Sequence, residues 1–292
     1  MSGVLGRAGF PRIGPTAHYT GYVWARNGLS HSELETVEGR IMFDSLQPAM
    51  IASRLAGGPT LEAYLLARHR AIDALLDSAV ERGEVSQVIE VACGLSPRGW
   101  RFAQHYRDKI VYVEADLPAM AARKRLALER MGSLSDHHRV REVDALRDDE
   151  GPGSLAAIAA ELDRDQGLAI ITEGLLGYLP PDAVDGIWRR FARALSRFPE
   201  GRYISDLHLG GSVTPEVRLF RLLLSAFVRG RVYLHFSDAR EAEAALAVAG
   251  FALAEVRPAV DVIEAGADRE PGSRLANILE ASITLPPEAS TT

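Results

Sequence analysis

Val88-Ile-Glu-Val-Ala-Cys-Gly-Leu-Ser-Pro-Arg-Gly99 is the stretch whose reading decides the fold. Val88 to Val91 is a short apolar run with β-branched residues, which reads as a buried strand. Gly94, Ser96, Pro97 and Gly99 break it, and Trp100 to Tyr106 resumes with helical spacing. Strand, glycine-bearing turn and helix form the first unit of a nucleotide-type α/β fold. Glycine permits close backbone approach to a ligand, and a helix N-terminus presents N–H groups without intrahelical partners. An ordinary βα turn would look the same, so this stretch alone does not define a function.

Working outward, Ile110 to Ala115 supplies a second strand, with Glu114 and Asp116 at its C-terminal end. A carboxylate about twenty residues after the glycine turn is where nucleotide-binding α/β proteins hold a ribose. Glu114 and Asp116 share one face of the strand, and Asp116, nearer the loop, is the preferred ligand. Pro118 fits the first turn of the next helix, which runs to Met131. Val140 to Asp144 is a weaker strand ending in an acid that could accept from an adenine amine or could equally cap a turn. Ser154 to Leu162 reads as a helix. Leu168 to Thr172 is a continuous apolar run suited to a central parallel strand, and Glu173-Gly-Leu-Leu-Gly-Tyr178 follows it. Asp182 is placed to cap the next helix. Arg202 to Leu209 is the fifth strand, with His208 at its end. Two more strands, Phe251 to Val256 and Ile278 to Leu285, follow a helix that begins at Ser237 or Asp238 and closes on Gly250. Glu90, Asp116, Asp144 and Glu173 thus lie in order along one crevice, at the carboxyl ends of strands where open α/β sheets bind ligands.

The flanking segments read as a cap. Met1 to Pro15 is rich in Gly and Pro, and His18-Tyr-Thr-Gly-Tyr22-Val-Trp24 is unusually aromatic for a chain with 7% aromatic residues. That segment either packs on the core or contributes rings to a substrate pocket. Glu33 to Leu55 and Leu61 to Arg82 carry helical periodicity, with Thr60 as N-cap of the second. The predicted organisation is an N-terminal helical cap over residues 1–82 and an α/β domain over 83–292. Within the latter, 210–236 forms a helical insertion after the fifth strand, including an apolar helix from Pro215 to Arg229.

Composition narrows the function classes. The chain has 292 residues, 47% hydrophobic and 25% charged, as expected of a globular protein with a substantial core. A net charge of -6 provides no basic field for nucleic acid. Arg123-Lys-Arg125 and Arg189-Arg190 read as solvated helix faces. The single cysteine, Cys93, excludes an internal disulfide and a cysteine metal cluster, and it reads as a small core residue. His137 and His138 sit in a polar stretch with no third ligand at metal spacing, so no metal is assigned. No apolar run reaches about 18 residues, which points away from a membrane and toward the cytoplasm.

The glycine turn departs from the dinucleotide fingerprint G-x-G-x-x-G: the corresponding residues are Ala92, Gly94 and Pro97, with Gly99 two places late. Glu90-x-Ala92-x-Gly94-x-Ser96 instead resembles, with small-residue replacements, the acidic-x-Gly-x-Gly motif of class I methyltransferases that use S-adenosylmethionine. The ordered set Pro15-Thr-Ala-His-Tyr19, Ala67-Arg68, Glu90 to Arg98, Glu114-Ala-Asp-Leu-Pro118 with Arg123-Lys124, Asp144-Ala145 and Glu173 to Tyr178 resembles the leucine carboxyl methyltransferases. It looks closest to their bacterial branch, the tetracenomycin-type polyketide O-methyltransferases. The resemblance implies a Rossmann-like seven-stranded sheet whose last strand is antiparallel. It also implies that Arg68 binds the cofactor carboxylate, Gly94 lines the methionine moiety, Asp116 takes the ribose, Asp144 and Ala145 the adenine, and Glu173 the methionine amine. Glu90 belongs to the same cofactor set. The sequence departs from the wider family at Gly94-Leu-Ser-Pro-Arg98, where Gly-Leu-Asp-Thr-Arg is common, and at Asp144-Ala-Leu-Arg147, whose Arg comes one place late.

Methyl transfer from a sulfonium is an in-line displacement, so the protein must mainly align the reactants and exclude water. A carboxylate acceptor, ionised above about pH 4, needs no base; a phenol with a pKa of about 10 would gain from one. His208 is the candidate base, and His18, Tyr19, Tyr22 and Tyr178 are candidate acceptor contacts. The expected activity is O-methylation of a small acid or phenol, with S-adenosylhomocysteine as the other product. A dinucleotide-dependent oxidoreductase and a non-catalytic cofactor-binding protein are the alternatives. Oligomeric state does not follow from the sequence.

Overall fold

The structure, a computed structural model, describes residues 14–211, 233–263 and 271–284. Seven strands, β1 (Gln87–Val91), β2 (Val111–Asp116), β3 (His138–Glu142), β4 (Leu168–Thr172), β5 (Gly201–Leu207), β6 (Leu253–Pro258) and β7 (Asn277–Ser282), form one sheet in the order β3-β2-β1-β4-β5-β7-β6. β1 to β5 pair in parallel. β7 inserts between β5 and β6 and runs antiparallel to both. The order reverses between β1 and β4, so the turns after these strands diverge and leave a crevice at the sheet's carboxyl edge.

Among the described residues eight α-helices flank the sheet: α1 (Gly14–Arg26), α2 (Val37–Leu55), α3 (Leu61–Glu81), α4 (Arg98–Tyr106), α5 (Pro118–Arg130), α6 (Leu155–Ala160), α7 (Pro181–Leu195) and α8 (Ala239–Ala249). Strand alternation sorts the core into two layers. Ile89, Val91, Val113 and Ile170 face α6, α7 and α8, where Trp188, Phe191 and Leu246 close the packing. Val88, Tyr112, Ile171, Ile204 and Ile278 face the other way, onto Leu65, Ile72 and Leu76 of α3 and, beyond them, Tyr19 and Val23 of α1. Each such side chain, fully buried, contributes about 1.5–3 kcal/mol of hydrophobic stabilisation.

The caps follow local chemistry. Thr60 and Asp238 accept from the Ala63 and Glu241 amides, and Gly250 ends α8 in the left-handed conformation. Leu117 precedes Pro118 at the start of α5. Four details differ from the sequence reading. The helix expected from Glu33 begins at Val37, because Thr36 caps it by accepting from Gly39. The aromatic segment 18–24, with no assigned element in the sequence, belongs to α1. α7 is capped by Pro180 rather than Asp182, which lies within its first turn. β3, β5, β6 and β7 begin or end a few residues from the expected bounds, so that His208 lies just past β5. The insertion expected over 210–236, with its helix from Pro215 to Arg229, lies for the most part outside the described residues. Among the described residues no helix is long and apolar enough to cross a membrane.

Candidate functional site

The same alternation that builds the core aims charge at α3. Glu90 of β1, Glu114 and Asp116 of β2 and Asp206 of β5 share the face of Val88, Tyr112 and Ile204. From α3, Tyr64, Arg68, His69 and Asp73 meet them, and Arg98 enters from the start of α4. Glu173, one residue past β4, is the hub. Its carboxylate accepts from Arg68 Nε at 3.0 Å, from His69 Nδ1 at 2.8 Å and from Arg98 Nη2 at 2.7 Å. Burial pushes the Glu173 carboxyl up, but His69, Arg98 and Arg68 overcome it and hold it well below the usual carboxylate range. Arg68 also donates through Nη1 to Asp206 at 3.1 Å. Its guanidinium is buried yet stays charged, because Asp206 and Glu173 outweigh the desolvation.

Arg98 is fully enclosed. It donates to Asp73 at 2.6 Å, Glu90 at 2.6 Å and Glu173 at 2.7 Å, joining α3, β1 and the end of β4. Glu90, expected to contact the cofactor, lies beside this guanidinium in the interior. It is 1% exposed, and its oxygens accept from Arg98 and from Tyr112 Oη at 2.8 Å. Burial raises its pKa above the ordinary glutamate value.

At the glycine turn the backbone keeps the geometry that the side chains only partly advertise. Ala92 has φ 56° and Gly94 φ 52°, both left-handed, although the first is not glycine. The Gly94 N–H donates to Asp116 Oδ2 at 2.7 Å, and Leu117 N–H donates to Oδ1 at 2.7 Å. Burial raises the Asp116 pKa against these two bonds. Each oxygen retains a second lone pair for a diol. Asp144 lies just past β3, where the Val143 amide bonds the Asp116 carbonyl at 2.8 Å, so the two acids are neighbours on the rim. The Asp144 carboxylate accepts from Leu146 N–H, and the Ala145 carbonyl is held by Arg190 Nε at 2.9 Å. Arg190, read as part of a solvated face, thus fixes the backbone beside Asp144. α1 closes this side: Ala17 sits against the turn, with its Cβ 3.2 Å from where a Gly94 Cβ would lie.

Beneath the turn is a second buried charge group. Glu114 accepts from His138 Nε2 at 2.7 Å and pairs with Lys124, which also donates to the Ser96 carbonyl. Two expectations are corrected here. Lys124 is buried rather than solvated, and His138 is the buried first residue of β3 rather than part of a polar loop. Gly99 is required by close approach, since a Cβ there would lie 2.5 Å from Glu114 Oε1. Cys93 is buried, and burial pushes its thiol up.

Among the proposed acceptor contacts, His208 bonds Tyr64 Oη through Nε2 at 2.8 Å. Tyr178 is part-buried against the α1–α3 layer, and burial raises its pKa. His18 Nδ1 meets Thr36 Oγ1 at 3.0 Å, and burial and Arg123 lower its pKa. Tyr19 is fully buried, 5.8 Å from the Phe43 ring, and Tyr22 lies 5.2 Å from the same ring. The structure brings Arg68 and Glu173 into direct contact, and sets Gly94 against Asp116 with Asp144 next along the rim. Tyr19 and Tyr22 it places in the α1–α2 packing. Tyr64, His69, Asp73, Arg98 and Asp206 are the members of the site that sequence reasoning missed.

Sheet order, the antiparallel seventh strand and the acid-lined carboxyl rim define a class I, Rossmann-like fold of the methyltransferase type. Residues 25–192, more than half of the chain, match the family model described as leucine carboxyl methyltransferase, and the chain belongs to that family. A Mycobacteroides abscessus relative is 34% identical over 130 residues, covering 44% of this chain and 40% of that protein. A Mycobacterium sp. (strain JLS) relative is 38% identical over 122 residues, covering 41% and 37%. Both are assigned by inference to the S-adenosyl-L-methionine-dependent methyltransferases. The matched segment spans about two fifths of these relatives' length. Among solved structures, one from Thermobifida fusca, assigned by inference as a methyltransferase, superposes with TM-score 0.64 at 15% identity, covering 94% of this chain and 98% of the other. A DUF574 family protein from Streptomyces avermitilis gives 0.61 at 15% identity, covering 91% and 96%. These two likenesses concern the fold.

Proposed function

We propose that this chain is an S-adenosylmethionine-dependent methyltransferase that methylates an oxygen of a small, polyketide-like acid or phenol in the cytoplasm. The observation that carries the reading is the Arg68–Glu173 pair at the end of β4, with Asp116 at the end of β2 across the switch point. The donor set fits the cofactor. A buried cation and a buried anion side by side match the carboxylate and the amine of an amino acid, and Asp116 offers two acceptor oxygens for a ribose.

On this reading Arg68 holds the methionine carboxylate and Glu173 the amine. Gly94 lines the methionine moiety, Asp116 takes the ribose hydroxyls, and Asp144 with Ala145 takes the adenine. Arg98 and Glu90 support these groups from below. The bound cofactor supplies an electrophilic methyl on a sulfonium. The chain's own part is to orient that methyl and the acceptor oxygen and to keep water out. The helices before β1 act as the cap, with His18 and Tyr178 shaping the acceptor pocket and Tyr19 and Tyr22 supporting it from the α1–α2 packing. His208, held by Tyr64, orients the acceptor or takes a phenolic proton. The family description, with its carboxyl acceptor, supports keeping a carboxylate beside the phenol.

The test is titration calorimetry with S-adenosylmethionine, S-adenosylhomocysteine and NAD, followed by methyl-transfer assays over acids and phenols. Binding of the first two but not of NAD is expected, with turnover on an oxygen acceptor. Failure to bind either sulfur nucleoside would overturn the reading. Binding without transfer to any acceptor would favour a non-catalytic role.

A further inference from the structure

Asp206 is a buried acid at the rim to which the roles above assign nothing. It is 3% exposed and comes from β5, on the α3 side of the sheet. Its two oxygens serve different partners. Oδ1 accepts the Gly174 N–H at 2.6 Å, and Oδ2 accepts Arg68 Nη1 at 3.1 Å. It therefore ties the backbone immediately after Glu173 to the guanidinium that Glu173 also holds. Gly174 makes the arrangement possible. Its φ is +69°, and a Cβ would stand 3.1 Å from Arg68 Nη2 and 3.2 Å from Nη1. The guanidinium therefore lies directly on the loop.

We infer that Asp206 is a positioning residue for the amino-acid end of the cofactor, acting through Arg68 and Gly174. The inference rests on the S-adenosylmethionine reading above. Arg68 is gripped along two edges: Nε by Glu173 and Nη1 by Asp206. Its ring neighbour Tyr64 lies 5.6 Å below the guanidinium carbon and limits tilting. A guanidinium fixed in its plane presents its remaining donors as a preset fork for a carboxylate. Without Asp206, one grip is lost, the guanidinium can swing about Nε, and the Gly174 amide no longer fixes the Glu173 backbone. Both contacts to the amino-acid tail loosen together, while Asp116, Asp144 and Ala145 keep the nucleoside end.

The experiment uses two ligands that share the nucleoside. S-adenosylhomocysteine carries the amino-acid tail and 5′-methylthioadenosine lacks it. Calorimetric titration of the full chain and of Asp206→Ala, Asp206→Asn and Gly174→Ala reads the difference. Asp206→Ala is expected to weaken S-adenosylhomocysteine about 10- to 100-fold. Methylthioadenosine affinity should change less than about twofold, within the scatter of unlinked sites. Asp206→Asn keeps an oxygen for Gly174 and falls between. Gly174→Ala displaces Arg68 with Asp206 intact and reproduces the selective loss, which keeps the idea testable if the Asp206 variants misfold. Equal weakening of both ligands, or no change in either, overturns the positioning role while leaving the cofactor reading in place. A wild-type chain that binds neither ligand overturns that reading, and this inference falls with it.

Discussion

Replacing Arg98 by Met gives the sharpest test of how the interior is held together. The guanidinium is fully enclosed and serves Asp73, Glu90 and Glu173 at 2.6, 2.6 and 2.7 Å. Met fills much of the same volume but leaves these carboxylates without their shared cation. Glu173 keeps Arg68 and His69, and Asp73 keeps Arg101 at 2.6 Å, so Glu90 is the acid that loses its cation. Removing one partner of a buried pair costs about 3–5 kcal/mol. At about 2 °C per kcal/mol for a chain of this size, the melting temperature should fall roughly 6–10 °C. Glu90→Gln added to Arg98→Met removes the stranded charge and should restore about 1–3 kcal/mol, a non-additive recovery expected only of groups in contact. The deficit of Arg98→Met should also shrink as pH falls, because an uncompensated buried carboxylate takes up a proton. Scanning calorimetry and urea unfolding at several pH values read all three effects. A loss below about 1 kcal/mol, or strict additivity of the two substitutions, would refute the idea that Arg98 joins the layers through charge.

Other substitutions probe separate parts of the argument. Glu173 has its carboxyl held below the ordinary value, so the stability it contributes is fully present above its unfolded pKa of about 4.3 and is lost as pH falls toward its folded value. The unfolding free energies of wild type and Glu173→Gln should therefore differ most near neutrality and converge below about pH 4; a gap that widens in acid contradicts the assignment. Gly99→Ala forces a Cβ to within 2.5 Å of Glu114 Oε1, and urea midpoints should report a loss of about 1–3 kcal/mol. Ala92→Gly relieves a left-handed φ of 56° that costs an L-residue about 1–2 kcal/mol, so thermal denaturation should show no loss and up to about 1 kcal/mol of gain. An ordinary strand-end alanine would instead lose stability on this change.

The sheet was legible because its signals are local. Val88 to Val91 and Leu168 to Thr172 are apolar runs of strand length, and Thr60, Pro118 and Gly250 punctuate them with residues whose backbone preferences act alone. Ala92 shows the limit of a motif. The side chain departs from the acidic-x-Gly-x-Gly pattern, while the backbone retains the glycine conformation. The buried charges were not legible for a different reason: each depends on a partner far away in the chain. Lys124 did carry a signal, since it shares the inward face of α5 with Ala121 and Leu128 at helical spacing. Without Glu114 in view, an inward lysine has no reading except solvation. Arg68 likewise follows Tyr64 and precedes Ala71 and Leu75 on one face of α3. Asp206 alternates with Ile204 on the buried side of β5, but its contacts come from residues 32 and 138 positions earlier.

The position of β7 bears on how the chain can be assembled during synthesis. Among the described residues β6 has only β7 as a strand neighbour, and β7 follows it in the chain. While residues 277–282 remain inside the ribosome, β6 has nothing to register against, and the outer edge of β5 offers open hydrogen-bonding groups to any passing strand. A nascent chain stalled between those two segments should therefore be the most aggregation-prone intermediate. A stop codon placed just before residue 277 should yield insoluble protein, even though the rim acids and the glycine turn would all have been made.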